Sequence, residues 1–234
     1  MDFHNLKRKI SHILHSRIHV FVFHQVSDFY DEQFMWPCDW NETESFKQKI
    51  MKLNEKYIFI SLADAYKYIS KDFYRRKNYA VLTADDGFVT LRNIMPWLAE
   101  MRIPITLFLN PAYLVGEEEP EKGLKSLLSI AELEMLIREC SPYVTIASHG
   151  WVHKFCTSMT NEEFKSGVNR SVDFFSKRKE YVPFYAYPCG KHTEWHDAYL
   201  LEHDLVPVYC DGMVNYDDKL RIHRECIDEG YKSC

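Results

Sequence analysis

The stretch YAVLTADDGFVTLRNIMPWL, residues 79–98, decides the reading of the chain. Tyr79 to Leu82 are an apolar run of the kind that fills a buried strand, and from Leu91 onward apolar residues return at helical spacing. Between them stand Thr83, two adjacent carboxylates (Asp85 and Asp86) and Gly87. Two neighbouring aspartates at the end of a buried strand repel each other and lose hydration, so something must offset that cost. Either a turn solvates both, or a cation takes one while the other does chemistry. The stretch alone leaves both open.

Working outward, strand and helix patterns alternate. IHVFVFH (18–24) reads as a first buried strand, ESFKQKIMKLNEKY (44–57) as a helix, IFIS (58–61) as a short strand and LADAYKYISKDF (62–73) as a helix. After the opening stretch come ITLFLN (105–110) as a strand, an exposed loop at 115–123, a helix over 129–140 and the strand YVTIASHG (143–150). A helix over 160–178 with Thr160 as its cap follows, then strands at 181–190, 205–210 and 219–226. Alternation of this kind implies a parallel sheet, open or closed into a barrel, with its site at the carboxyl ends of the strands. The residues standing there are His24, Asp85, Asp86, Asn110, His149, His153, Pro188 to Gly190 and Asp211.

Bulk properties narrow the function classes. The chain of 234 residues carries 46% hydrophobic and 27% charged residues, the balance of a globular protein with a full core. A net charge of −5, with no long Lys/Arg block, gives no footprint for nucleic acid. Aromatics reach 15%, which suits stacking on sugar rings and suits core filling equally well. Seven cysteines without CxxC spacing read as free thiols in a reducing compartment. The N-terminus lacks the pattern of a signal peptide and no segment reaches the length of a membrane span, so a cytoplasmic setting is expected. Residues 1–17 place Leu6, Ile10, Ile13 and Leu14 at helical spacing beside Lys7, Arg8, Lys9 and Arg17. They read as an amphipathic helix capping the domain, with a helix lying on an anionic membrane surface as the alternative.

A second motif is IASHGWVHKF, in which His149 ends a strand and His153 follows four residues later. Two imidazoles and a carboxylate are a common ligand set for a catalytic divalent metal. A lone H-x3-H pair is also found as two hydrogen-bonded core histidines, and a lone Asp-Asp-Gly as a simple turn. Each directly follows an apolar strand of one sheet, and that coincidence favours the metal.

Together these residues resemble the polysaccharide deacetylases of carbohydrate esterase family 4, the NodB-homology domain. Thr83-Ala84-Asp85-Asp86-Gly87 is similar to that family's first motif, His149-Gly150-Trp151-Val152-His153 to its second and Tyr187-Pro188-Cys189-Gly190 to its third. The opening FVFHQVSD resembles a segment of the poly-N-acetylglucosamine deacetylase branch. The resemblance runs from about residue 18 to residue 226. It implies a distorted (β/α) barrel, an α/β fold in one catalytic domain over 18–234, and removal of acetyl groups from a sugar or glycan precursor.

Carried over position by position, the resemblance makes Asp86, His149 and His153 the ligands of a divalent ion, zinc first, with cobalt, nickel or iron as alternatives. It makes Asp85 the general base. Such an ion polarises the acetyl carbonyl and acidifies water, and a carboxylate beside it can take the proton. A backbone N–H of the Cys189-Gly190 turn would meet the developing oxyanion. The leaving amine needs an acid; His223, in LRIHREC, is the candidate and His192 the rival. His24, Trp151, Tyr187, Pro188, Cys189 and Gly190 are expected to line the substrate groove, and Trp36, Trp40, Asp211 and Asn215 are further candidates.

Three departures stand out. Ala84 replaces the usual aromatic, the third motif lacks the arginine that many members use to orient the aspartate, and no clear Asp-Trp motif is present. They keep two other readings open: a catalytically poor glycan-binding or scaffold protein, and an amidase for a non-sugar substrate.

Overall fold

The structure is a computed structural model that describes residues 18–31, 39–70, 78–121, 124, 126–215 and 220–229. The expected N-terminal helix, Trp36, Cys38 and Cys234 lie outside the described residues.

The strands are β1 (Ile18–Phe23), β2 (Gln25–Val26), β3 (Trp40–Asn41), β4 (Ile58–Phe59), β5 (Tyr79–Asp86), β6 (Ile105–Leu109), β7 (Val144–Ser148), β8 (Tyr181–Ala186), β9 (Val206–Cys210) and β10 (Ile222–Cys226). Pairing runs in parallel from β5 through β6, β7, β8 and β9 to β10. β1 then pairs with both β10 and β5, closing the ring, and β4 joins β5 at its amino end. This is the expected distorted (β/α) barrel in a single domain. β2 and β3 form a separate two-stranded ribbon.

Helices α1 (Thr43–Lys56), α2 (Leu62–Ser70), α3 (Met95–Glu100), α4 (Pro111–Leu114), α5 (Ile130–Cys140), α6 (Asn161–Phe175) and α7 (Glu194–Glu202) flank the barrel. Ser129 and Thr160 cap α5 and α6 in reciprocal boxes with Glu132 and Glu163, satisfying amide groups that the helix cannot. The expected helix at 91–101 is split: a 3-10 turn covers Val89–Asn93, and Pro96 sits in the first turn of α3. α7 was not legible as a helix, because its buried side includes His196, Asp197 and Tyr199 rather than an apolar stripe.

Strand alternation divides the side chains into two cores. Inward residues, among them Ile18, Val20, Val81, Phe108, Ala147, Phe184, Val208 and Ile222, form one cluster that Leu62, Ala65 and Ile69 of α2 join. Outward residues such as Phe21, Phe23, Leu82, Ala84, Leu107 and Ile146 pack beneath the helices. Ala84 therefore belongs to the outer core, on the face opposite Asp85.

The two aspartates part company at the strand end. Asp85 continues the inward set, whereas Asp86 adopts a left-handed φ of 70° and Gly87 one of 79°. The chain turns there, and Gly87 donates to the Asp85 carbonyl at 2.9 Å. A Cβ on Gly87 would stand 2.5 Å from Leu109 Cδ2, within a packed core. Gly87→Ala is expected to lose about 1–3 kcal/mol from the positive φ and the clash, read as a lower urea midpoint with an unchanged slope.

Candidate active site

At the carboxyl end of the barrel, Asp86 Oδ1 lies 3.5 Å from His149 Nε2 and 3.5 Å from His153 Nε2. The three ligand atoms lie within 4.8 Å of one another. His149 Nδ1 donates to the Ala186 carbonyl at 2.9 Å, which fixes its tautomer and leaves Nε2 as a lone-pair donor. Asn110 holds the loop by donating to the carbonyls of His149 (2.5 Å) and Gly150 (3.3 Å). The His153 backbone N–H donates to the Tyr113 hydroxyl at 3.1 Å.

These residues fit a divalent ion. Asp86 Oδ1 is buried with no hydrogen-bond partner, a costly state for a carboxylate oxygen unless a cation meets it. Burial lowers His149 and keeps it neutral, as a ligand must be. Burial also acts to lower His153, but Asp86 and the neighbouring Cys189 outweigh it and push that imidazole up to about 9. One oxygen and two nitrogen donors suit zinc, cobalt, nickel or iron.

Asp85 meets a different partner. Arg224 grips it with two parallel bonds, Nη1 to Oδ1 and Nη2 to Oδ2, each 2.7 Å. The same guanidinium donates to Thr83 Oγ1 (3.2 Å) and the Tyr209 carbonyl (3.3 Å) and lies over the Phe108 ring. Burial alone would raise Asp85; the charge of Arg224 and its two hydrogen bonds overcome it and hold the carboxyl well below the usual range. The arginine missing from the third motif is thus replaced by one on β10. Sequence reading missed Arg224, although its place on the strand that closes against β1 was available as a signal.

The neighbour of Arg224 faces the other way. His223 lies on the outer side of β10, where Nδ1 bonds Asp211 at 2.6 Å and the ring meets Tyr209 edge-on. β10 alternation thus does not bring His223 to Asp85. His192 stacks on Tyr187 (4.6 Å) and Tyr209 (4.4 Å), in the same outer layer. His24 is inward: it directly follows β1, and its charge acts on Asp85 and His153. Its Nδ1 pairs with Asp228 Oδ2 at 2.6 Å, and Asn41 Nδ2 braces Asp228 Oδ1 at 2.5 Å. Burial acts to lower His24, but Asp228 raises it well above the ordinary value. Asp228 had no signal in the sequence beyond its place after the last strand.

The remaining expected groove residues separate. Tyr187 is buried and donates its hydroxyl to Asp197, and Pro188 is buried beside it. Cys189 is exposed, with φ 53° and its Sγ 3.9 Å from His153 Nε2. Gly190 spends its N–H on the Tyr187 carbonyl at 2.9 Å. Trp151 carries the Arg170 guanidinium 3.8 Å above its ring and meets Phe174 of α6 edge-on. Trp40 donates to Ser27, and Asn215 is buried where it ties β1 to β10. Cys140, Cys156, Cys189, Cys210 and Cys226 are free, as expected. Among the described residues no helix is long and apolar enough to cross a membrane.

Comparison with known proteins places this geometry. A family profile described as "Polysaccharide deacetylase" matches residues 74–208, more than half of the chain. Among solved structures, IcaB from Ammonifex degensii superposes with a TM-score of 0.75 at 16% identity, covering 92% of this chain and 93% of that one. The Streptococcus pyogenes deacetylase PplD, solved in complex with acetate, gives 0.76 at 16% identity, with 92% and 93% covered. A de-N-acetylase from Aggregatibacter actinomycetemcomitans gives 0.69 at 16% identity, with 91% and 95% covered. At such identity the likeness is one of fold, and none of the curated proteins matches in sequence. The family generally depends on a divalent metal ion, and Asp86, His149 and His153 offer a ligand set of that kind. On the strength of the matched profile, the chain belongs to the polysaccharide deacetylase family and is a carbohydrate deacetylase.

Proposed function

We propose that the protein hydrolyses N-acetyl groups on a carbohydrate, with a zinc-type divalent ion held by Asp86, His149 and His153. The observation that carries this reading is the partnerless Asp86 Oδ1, equidistant from two imidazole nitrogens and adjacent to the Arg224-bound Asp85. When bound, such an ion supplies Lewis acidity to the acetyl carbonyl and lowers the pKa of water.

Asp85 is the general base. Its Oδ2 stands 4.0 Å from His149 Nε2, on the side of the ligand set, and Arg224 fixes the carboxylate plane. The guanidinium keeps Asp85 ionised throughout the working pH range, and a proton that it accepts is passed on readily because it is weakly held. Since the Gly190 N–H is already spent, the Cys189 N–H is the turn's candidate donor for the oxyanion.

His24 is the general acid in this reading, in place of His223. Asp228 occupies Nδ1 and favours the imidazolium, so Nε2–H is the proton offered to the leaving nitrogen. His24→Gln is expected to lower kcat by roughly 10²–10⁴-fold with metal uptake at Asp86, His149 and His153 unchanged, while His223→Gln keeps most of its activity. Asp228→Asn lowers the His24 pKa, so the alkaline limb of the pH profile should move to lower pH. The reverse ranking of the two histidine variants would restore His223.

The substrate assignment is tested by acetate release from N-acetylglucosamine oligomers after metal reconstitution. Release from acetylated non-sugar amides alone would favour the amidase reading. We place the activity in the cytoplasm, on a glycan precursor, as the working expectation.

A further inference from the structure

A second cluster of ligand-capable side chains lies beside the first at the barrel mouth, where β1 meets β10. His24 directly follows β1, Cys226 is the last residue of β10, and Asp228 follows two positions later. The strands are in register there, with Val22 opposite Cys226 and the Ile227 N–H bonded to the Val22 carbonyl at 2.9 Å. The fold therefore fixes these three residues from β1 and β10, whereas the Asp86 site hangs from β5 and β7.

We propose that His24, Cys226 and Asp228 form a second cation site, one that takes a thiophilic divalent ion such as zinc or cadmium. A nitrogen, a sulfur and a carboxylate oxygen lie within 4.8 Å of one another. Both donors to Asp228 Oδ2 carry displaceable protons: His24 Nδ1 at 2.6 Å and the Cys226 thiol at 3.3 Å. Asp228 is buried, and its other oxygen is pinned by the His24 N–H at 3.2 Å and Asn41 Nδ2 at 2.5 Å.

The separation between Cys226 and Asp228 already suits two bonds of about 2.0–2.3 Å to a shared ion. His24 must withdraw by roughly an ångström to admit it; its side chain, one-fifth exposed, has room on the solvent side. Binding is coordination alone: the ion enters, and the His24 and Cys226 protons leave to solvent.

Filling this site replaces the Nδ1 proton with the ion and leaves a metal-bound imidazole in place of the imidazolium, whose Nε2–H is a far weaker acid, so excess zinc is expected to inhibit. That consequence rests on the reading of His24 as the acid; the site itself does not.

The test uses the full chain carrying His149→Ala and His153→Ala, titrated with cadmium and followed by thiolate-to-cadmium ultraviolet absorption. One saturable equivalent is expected, with affinity falling at least tenfold when Cys226→Ser or His24→Gln is added. Absorption that never saturates, or that is unchanged by both substitutions, overturns the proposal. Cys226→Ser in the otherwise native chain must still take up one equivalent of zinc, which separates loss of the site from loss of the fold. In the native chain, zinc beyond the first equivalent should reduce acetate release, and Cys226→Ser should relieve this. Cadmium binding without zinc inhibition would leave the site standing and refute the acid role of His24; absent cadmium binding would do the opposite.

Discussion

Arg224→Met is expected to destabilise the protein by about 3–5 kcal/mol, because it strands a buried carboxylate. Arg224 is buried, as is Asp85, and the guanidinium is the bidentate partner of that carboxylate. The pH dependence gives the prediction its sign. In the native chain the Asp85 pKa is depressed, so its contribution is present above the unfolded value of about 3.9 and is lost only as pH falls through the lower folded value. In Arg224→Met, uncompensated burial raises Asp85 instead. The penalty should then be substantial already near pH 4, where the native contribution is in place, and grow further as pH rises toward neutrality. Urea unfolding of the metal-free chain at several pH values measures this. A penalty independent of pH would mean that Arg224 acts through packing alone. Arg224→Lys keeps the charge but not the two-bond grip, and should recover stability only in part.

Asp85→Asn is the second large effect. Loss of the base is expected to lower kcat by roughly 10²–10⁴-fold, with metal uptake intact because Asp86, His149 and His153 are untouched. It also leaves Arg224 facing a neutral amide, so a stability loss of up to about 3–5 kcal/mol accompanies it. Turnover must be compared at a temperature where both proteins are folded. Native turnover in Asp85→Asn would remove the general base from this account, and native glycan binding without turnover in either chain would favour the scaffold reading.

Much of the fold was legible because its causes are local. Apolar strands such as Tyr79–Leu82 and capped helices such as α5 and α6 announce themselves by period and cap. The Asp-Asp-Gly turn and the H-x3-H pair were visible for the same reason: each stands directly after a strand that the sequence defines. What escaped depends on pairing between distant strands. Arg224 and His223 are neighbours in sequence, and only the register of β10 against β9 and β1 decides which one enters the barrel. Without that register His223 was a natural choice for the acid, whereas the structure turns it outward onto Asp211. Asp228 reaches His24 across 204 residues of chain, a contact that no local pattern encodes. Trp151 illustrates the remaining difficulty. Its place between the metal histidines suggested the groove, yet it packs on Phe174 of α6 and Arg170 covers the ring.

The central claim is that Asp86, His149 and His153 hold a divalent ion. Elemental mass spectrometry of the purified chain, beside the His149→Ala/His153→Ala double variant, tests it most directly. The expected result is near-stoichiometric zinc, cobalt, nickel or iron in the native chain, and one equivalent fewer in the double variant. A native chain that takes up no metal even after reconstitution, or a double variant that keeps the same content, would contradict it.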